Sequence, residues 1–389
     1  MRDKYLPYGL HWIDEDDIQE VLKVLKSDWI TQGPKVKEFE EKLANYCGAK
    51  YAVAVSSGTA ALHLACLVLD VKPKDEVITS PITFLATSNS VLYCGGKPIF
   101  VDIDEKTYNI NVNKIEEKIN KNTKGVILVH FAGQPCDLDR IREIANKYNL
   151  WIIEDATHAL GAEYNGKKIG GLSDLTIFSF HPVKAITTGE GGAITTNNKV
   201  LYERLLMLRT HGVTKDNSKF KMQNAKLKKE QWYYEMQGLG YNYRITDFQC
   251  ALGISQLKKL HKFIKRRREI VQIYNEAFKN VEEITTPCEK PNVKSAYHLY
   301  VLQIDFKKIP KTRTQLFDYM RKNNILLQVH YIPVYLQPFY QELGYKKGIC
   351  PNAEDFYQRE ISLPLYPSMR NTDVKYVVNI ILKYLEELI

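Results

Sequence analysis

The sequence predicts an α/β protein: a large domain over residues 1–247 with a mostly parallel central sheet between helices, and a smaller C-terminal α+β domain over residues 248–389. Two observations carry this. Short apolar runs suited to buried strands alternate with helical patterns from Tyr51 to Thr196, and such alternation implies parallel strands covered by helices on both faces. Beyond a long helical stretch the pattern changes to a mixture of strand-like and helical runs, and the 44% hydrophobic content of the 389 residues is enough for two cores.

The elements follow in order. Ile18, Val21, Leu22 and Leu25 recur at helical spacing behind Asp14-Glu15-Asp16-Asp17, which marks an amphipathic helix with an acidic first turn. Tyr51 to Val55 reads as a buried strand and Thr59 to Leu69 as a helix. Glu76 to Thr79, Pro98 to Asp102 and Gly125 to His130 are further strands, and a helix over Ile141 to Tyr148 leads into the strand Leu150 to Ile153. Leu175 to Phe180 and Ala193 to Thr196 bracket a turn that contains Lys184. Residues 216–236 turn polar and lysine-rich, as an excursion from the core does. A long helix starts at Asp247, followed by strand-like runs at Leu299 to Ile304 and Ile325 to His330 and helices at Arg313 to Lys322 and Asp373 to Leu388.

Composition excludes several classes. The net charge of +9 comes from lysines spread over Lys118 to Lys124, Lys226 to Lys229 and Lys262 to Arg268. With no nucleic-acid-binding signature beside them, these read as solvated surface or a field that draws a small anion. The seven cysteines are scattered without paired spacing, so neither a disulfide framework nor a metal site is implied. A cytoplasmic protein with no membrane segment is expected, since the start lacks an apolar secretory core and no apolar run reaches spanning length.

The chemistry centres on Lys184, flanked by Val183 and Ala185 after an apolar strand. A lysine desolvated there is partly neutral near pH 7, as Schiff-base chemistry with a carbonyl cofactor requires. Ser56-Ser57-Gly58-Thr59-Ala60-Ala61 sits between strand and helix, where free N–H groups suit a phosphate, although the same residues also serve as a plain turn and N-cap. Asp155 emerges at the carboxyl end of a strand, placed either to hold a proton on a pyridine nitrogen or to cap the turn through His158. Phe84 suits a ring face, but from the residues alone it reads as a core aromatic. No GxGxxG follows a strand, which excludes a nicotinamide dehydrogenase.

Four segments then carry a resemblance: Ser57 to His63, Glu154 to Gly161, Phe178 to Lys184 and Gly240 to Asp247. The chain resembles the DegT/StrS-type nucleotide-sugar aminotransferases, which have the fold-type I architecture of pyridoxal phosphate (PLP) enzymes. Tyr297 to Tyr300, Gln328 to Tyr331 and Ala353 to Tyr357 with Ile361 to Pro364 look closest to the 4-aminotransferases of the pseudaminic acid pathway. The resemblance implies that Lys184 forms the Schiff base and shuttles the proton, Asp155 pairs with the ring nitrogen, and His158 lies near the 3-oxygen. It implies phosphate contacts from Thr59, Ala60 and Ser179, stacking by Phe84, and a homodimer in which Asn242 reaches the partner's cofactor phosphate. Arg244, His330 and Tyr331 are candidates for the nucleotide-sugar side.

One branch of the family replaces the lysine with histidine and dehydrates sugars; keeping Lys184 argues for transamination. The reaction implied moves an amino group from L-glutamate to the C4 keto group of a UDP-4-keto-6-deoxy-N-acetylhexosamine. The alternatives are a 3-keto or GDP-linked acceptor, or a non-catalytic regulatory protein on the same scaffold.

Overall fold

The computed structural model describes residues 4–219, 221 and 230–386. Seven strands form the central sheet in the order 51–55, 192–196, 175–179, 151–155, 123–129, 76–79, 97–100. Only Gly192–Thr196 runs antiparallel to its neighbours, so the sheet is mostly parallel, as expected. Val53, Val55, Ile127, Ile153, Ile177 and Ile194 fill the core on one face, and Ala52, Ala54, Val126, Leu128, Ile152 and Phe178 fill it on the other. Burial on both faces is why these strands read as continuous apolar runs rather than alternating ones.

Helices Pro34–Cys47, Ala86–Tyr93, Lys199–Arg209 and Pro351–Arg359 are additional to the expected set. Helix 34–47 buries Val36, Phe39, Leu43 and Cys47 and ends at Gly48, whose φ of 70° is a left-handed cap that glycine adopts without strain. Its start depends on a distant residue. Gly33 has no capping side chain, and the buried Asp247 carboxylate accepts from the N–H groups of Gly33 (2.7 Å) and Lys35 (2.8 Å) instead. Asp247→Ala leaves both donors without an acceptor and is expected to lower unfolding free energy by about 2–3 kcal/mol, read from the shift in denaturant midpoint.

Helix Asp247–Phe278 opens with a capping box, in which Thr246 and Gln249 satisfy each other's backbone N–H. Its first half buries Cys250, Ile254, Leu260 and Phe263 in the core below the large sheet. Ile270, Val271, Tyr274 and Phe278 then join a second core with strands 300–304 and 360–363 and helices 313–322 and 371–386. The boundary expected at 247/248 falls at this helix's first turn. Strands 284–285, 300–304 and 360–363 form an antiparallel sheet in that order.

One expected strand is corrected. Residues 325–330 make only isolated bridges, Ile325 parallel to Leu6 and Gln328 antiparallel to Ser362. The segment changes partner within three residues, so no continuous ladder forms. The excursion at 216–236 is bracketed by a ribbon pairing Val213–Thr214 with Glu235–Met236; residues 220 and 222–229, including Lys226 to Lys229, lie outside the described residues, as do the last positions of the helix expected to reach Leu388. Among the described residues no helix is long and apolar enough to cross a membrane.

Candidate active site

Strand 175–179 ends at Ser179, and the chain turns at once. Phe180 N–H donates to Gly191 O (2.9 Å), Thr188 N–H donates to Phe180 O (3.0 Å), and Lys184 N–H donates to His181 O (2.9 Å). Buried Phe180 and Ile186 pin both sides of this turn, so Lys184 is held at a fixed place. Its amine has no hydrogen bond or ion pair among the described residues. Removal from water draws its pKa down to about 8, with the Asp155 carboxylate pulling the other way.

Asp155 is buried at the end of strand 151–155. Its Oδ2 accepts from Thr87 Oγ1 (2.6 Å), and its Oδ1 accepts from Thr157 N–H (3.2 Å). It thus caps the local turn and also faces the lysine. The neighbouring Glu154 points to the other face, where Oε2 lies 2.7 Å from His130 Nε2. Cys136 N–H donates to His130 Nδ1, so the His130 proton sits on Nε2 and points at Glu154.

The phosphate-ready turn has the expected form. Ser57 caps helix Gly58–Val68 by accepting from Ala60 N–H (3.1 Å), while the N–H groups of Gly58 and Thr59 have no acceptor among the described residues. A Cβ on Gly58 would lie 3.0 Å from Ser179 Cβ, so the helix start and the lysine strand pack closely. Thr59, Ala60 and Ser179 therefore line one cradle at the positive end of a helix dipole.

Across from Lys184 lies a buried histidine and tyrosine cluster. His158 Nε2 is 3.3 Å from Tyr331 OH, its ring is 4.3 Å from His298, and its Nδ1 is buried without a partner. Burial, Lys184 and His330 hold the His158 imidazole well below the usual range, so it is neutral. His330 packs edge-on to Tyr331 (4.8 Å) and against Tyr8 (5.1 Å). Phe84 is 59% exposed, with its ring 6.4 Å from Tyr331. The core aromatic expected from the residues alone is therefore corrected: Phe84 stands in the open segment just before helix 86–93, with its ring left outside the core.

The fold brings Lys184, Asp155, His158, His330 and Tyr331 within interaction range of one another. Among the described residues, Asn242 and Arg244 share no hydrogen bond or ion pair with these side chains. Their segment pairs with the end of helix 199–209 and passes Ser56, whose N–H donates to Tyr243 O (2.9 Å), and Asn242 is exposed. Sequence reasoning gave no role to Thr87, His298, Tyr8, Glu360 and Ser362, although His298 and Ser362 lie in segments that carry the resemblance. The role of each depends on a contact with a residue far away in the chain.

The free Lys184 amine gives a pH dependence. Only the neutral amine attacks an aldehyde, so the rate at which cofactor-free protein takes up PLP is expected to rise with pH through about 8, followed by absorbance. Asp155 raises the lysine pKa, so Asp155→Asn is expected to move that rise to lower pH.

The family profile described as "DegT/DnrJ/EryC1/StrS aminotransferase family" matches residues 11–382. A Campylobacter jejuni UDP-4-amino-4,6-dideoxy-N-acetyl-beta-L-altrosamine transaminase is 41% identical over 385 residues, covering 98% of each chain. The structure of Helicobacter pylori PseC, an aminotransferase involved in the biosynthesis of pseudoaminic acid, superposes with a TM-score of 0.90 at 34% identity, covering 99% of this chain and 100% of that one. Spr1654 from Streptococcus pneumoniae in its PLP form superposes at 0.90 with 31% identity over 99% and 100%. The residues present fit that cofactor: two free N–H groups for a phosphate, a buried carboxylate, a buried histidine nitrogen without a partner, and an unpaired, desolvated amine. The chain belongs to the DegT/DnrJ/EryC1/StrS family of sugar aminotransferases, PLP-dependent enzymes, and has their mixed α/β fold.

Proposed function

We propose that this enzyme moves an amino group from L-glutamate to the C4 keto group of a UDP-4-keto-6-deoxy-N-acetylhexosamine, a pseudaminic acid type reaction. What supports the acceptor is the full-length likeness to the altrosamine transaminase and to PseC. The observation that carries amino transfer is the unpaired, desolvated Lys184 amine facing the Asp155 carboxylate.

PLP supplies an aldehyde for covalent capture of the amine and an aromatic ring that accepts electrons from the substrate carbon. The chain's own share is placement and protons. Gly58 and Thr59 N–H, Ala60 and Ser179 would hold the phosphate end. Asp155 would keep a proton on the ring nitrogen, His158 would lie by the 3-oxygen, and Phe84 would stack on the ring. Lys184 Nζ would take the proton from the donor carbon and deliver it to the cofactor's aldehyde carbon, and in the second half of the reaction would carry a proton from that carbon to the acceptor C4. Arg244, His330 and Tyr331 meet the nucleotide sugar.

The functional unit in this reading is a cytoplasmic homodimer with shared sites. Asn242, exposed on its own chain, reaches the partner's cofactor phosphate. Dilution to monomer is expected to weaken cofactor retention, followed by sedimentation with absorbance detection. The substrate reading is tested by offering purified enzyme glutamate with UDP-4-keto, UDP-3-keto and GDP-4-keto sugars and weighing the products. Amination of the UDP-4-keto sugar at C4 is expected; turnover confined to either other acceptor would overturn it.

A further inference from the structure

Strand 360–363 lays Glu360 and Ser362 two residues apart, on the face turned toward residues 328–330. Glu360 Oε2 accepts from the His330 backbone N–H (2.8 Å), its Oε1 lies 2.6 Å from Ser362 Oγ, and Ser362 Oγ lies 2.8 Å from His330 Nδ1. All three side chains are buried. Gln328 and Ser362 exchange backbone hydrogen bonds, Gln328 N–H to Ser362 O (3.3 Å) and Ser362 N–H to Gln328 O (2.8 Å), which holds the two segments in register. His330 Nε2 has no partner among the described residues, and the ring stands within electrostatic reach of Lys184.

The donors in this relay can be counted. The backbone N–H is a fixed donor, so Oε2 must accept. Between Oε1, Ser362 Oγ and His330 Nδ1 there are two gaps and one serine proton. If Glu360 is ionised, Ser362 donates to Oε1 and Nδ1–H donates to Ser362, which leaves a lone pair on Nε2. If Glu360 is protonated, Oε1–H donates to Ser362 and Ser362 donates to Nδ1, which puts the imidazole proton on Nε2.

We propose that Glu360, acting through the Ser362 hydroxyl, is a positioning residue that decides which nitrogen of His330 carries the proton, and so whether Nε2 offers the ketosugar a donor or an acceptor. This rests on His330 meeting the sugar, as in the function proposed above. The charged and titratable groups facing His330 and Glu360 are Lys184 from the lysine turn, His158, His298, Tyr8, the adjacent Tyr331, and Arg313 beside Glu360. Burial and Lys184 draw the His330 pKa to about 3, so the imidazolium form stays out of the relay at working pH. Burial pushes the Glu360 carboxyl up to about 8, against the pull of its hydrogen bonds and Arg313. Near neutral pH, Nε2–H therefore donates to an oxygen of the sugar, and above that range the polarity inverts.

Glu360→Gln tests this without removing the side chain. The His330 N–H forces the amide oxygen into the Oε2 place, so the amide NH2 sits at Oε1, donates to Ser362 and locks the proton on Nε2. Full-length protein carrying 15N-labelled histidine rings is compared by NMR, with His330 assigned by difference from His330→Gln. At about pH 9.5 wild type is expected to show Nδ1–H and Glu360→Gln to show Nε2–H. The same tautomer in both at that pH overturns the proposal.

If Glu360→Gln does not fold, Ser362→Ala decides: the tautomer is expected to stop following pH, and an inversion unchanged from wild type overturns the proposal. Ser362→Thr, which keeps the hydroxyl, is expected to behave as wild type. In turnover, KM for the ketosugar is expected to rise about tenfold in wild type as pH passes through the Glu360 range and to stay level in Glu360→Gln, while the half-reaction with glutamate alone is unchanged. Should no ketosugar be aminated, the substrate reading fails while the NMR comparison still decides the relay.

Discussion

Lys184→Ala is expected to lower amino transfer by more than about four orders of magnitude, because in the function proposed above one side chain supplies both the nucleophile for the cofactor aldehyde and the base that moves the proton. The measurement is single-turnover transfer from glutamate to ketosugar, with cofactor supplied in excess. The fold is expected to survive, since among the described residues the amine holds no hydrogen bond or ion pair whose loss would strand a partner. Stability gives an independent check on the same physics. The folded pKa of about 8 lies below the ordinary 10.5, so the unfolded chain binds this proton more tightly. Below about 8 the buried charge costs stability in full, and the cost fades as pH rises toward 10.5. Cofactor-free Lys184→Ala is thus expected to unfold at an equal or higher temperature than wild type at pH 7, with the difference vanishing at high pH. A variant that is less stable at pH 7 would show that the lysine is structural.

Asp155→Asn is expected to cost about a thousandfold in turnover, the size of effect seen when a preorganised charge is removed from a buried site. In the proposed function the carboxylate keeps the ring nitrogen protonated, and an amide in its place cannot do so. The substitution is nearly the same size, and Thr87 can turn its hydroxyl toward Thr83 Oγ1, 2.7 Å away. Cofactor is expected to remain bound through the phosphate cradle and Lys184. Near-normal turnover with full cofactor loading would overturn the assignment of Asp155.

Most of the parallel sheet was legible because burial on both faces writes itself as continuous apolar runs: Tyr51–Val55, Thr123–Val129 and Leu175–Ser179 need no distant partner to be recognised. The positions of Lys184, Asp155 and the Ser57 turn were legible for a related reason, since each stands just past a strand, at a strand end or at a helix start, which local backbone geometry fixes. The strand expected at 325–330 failed because an apolar run does not say whether one partner will accompany it throughout; here Leu6 and Ser362 each take one end.

By itself, then, the sequence determined the alternation of elements, the lysine at its turn and the order of the motifs proposed to face the cofactor, all of which depend on residues within a few positions of one another. Tertiary structure alone decided that Asp247 starts a helix more than two hundred residues earlier, that Thr87 orients Asp155, that Tyr331 meets His158 and that Glu360 reaches His330 through Ser362. The reason is physical: a hydrogen bond between remote segments leaves no periodicity in either, and its energy appears only once the two cores have placed donor and acceptor within about 3 Å.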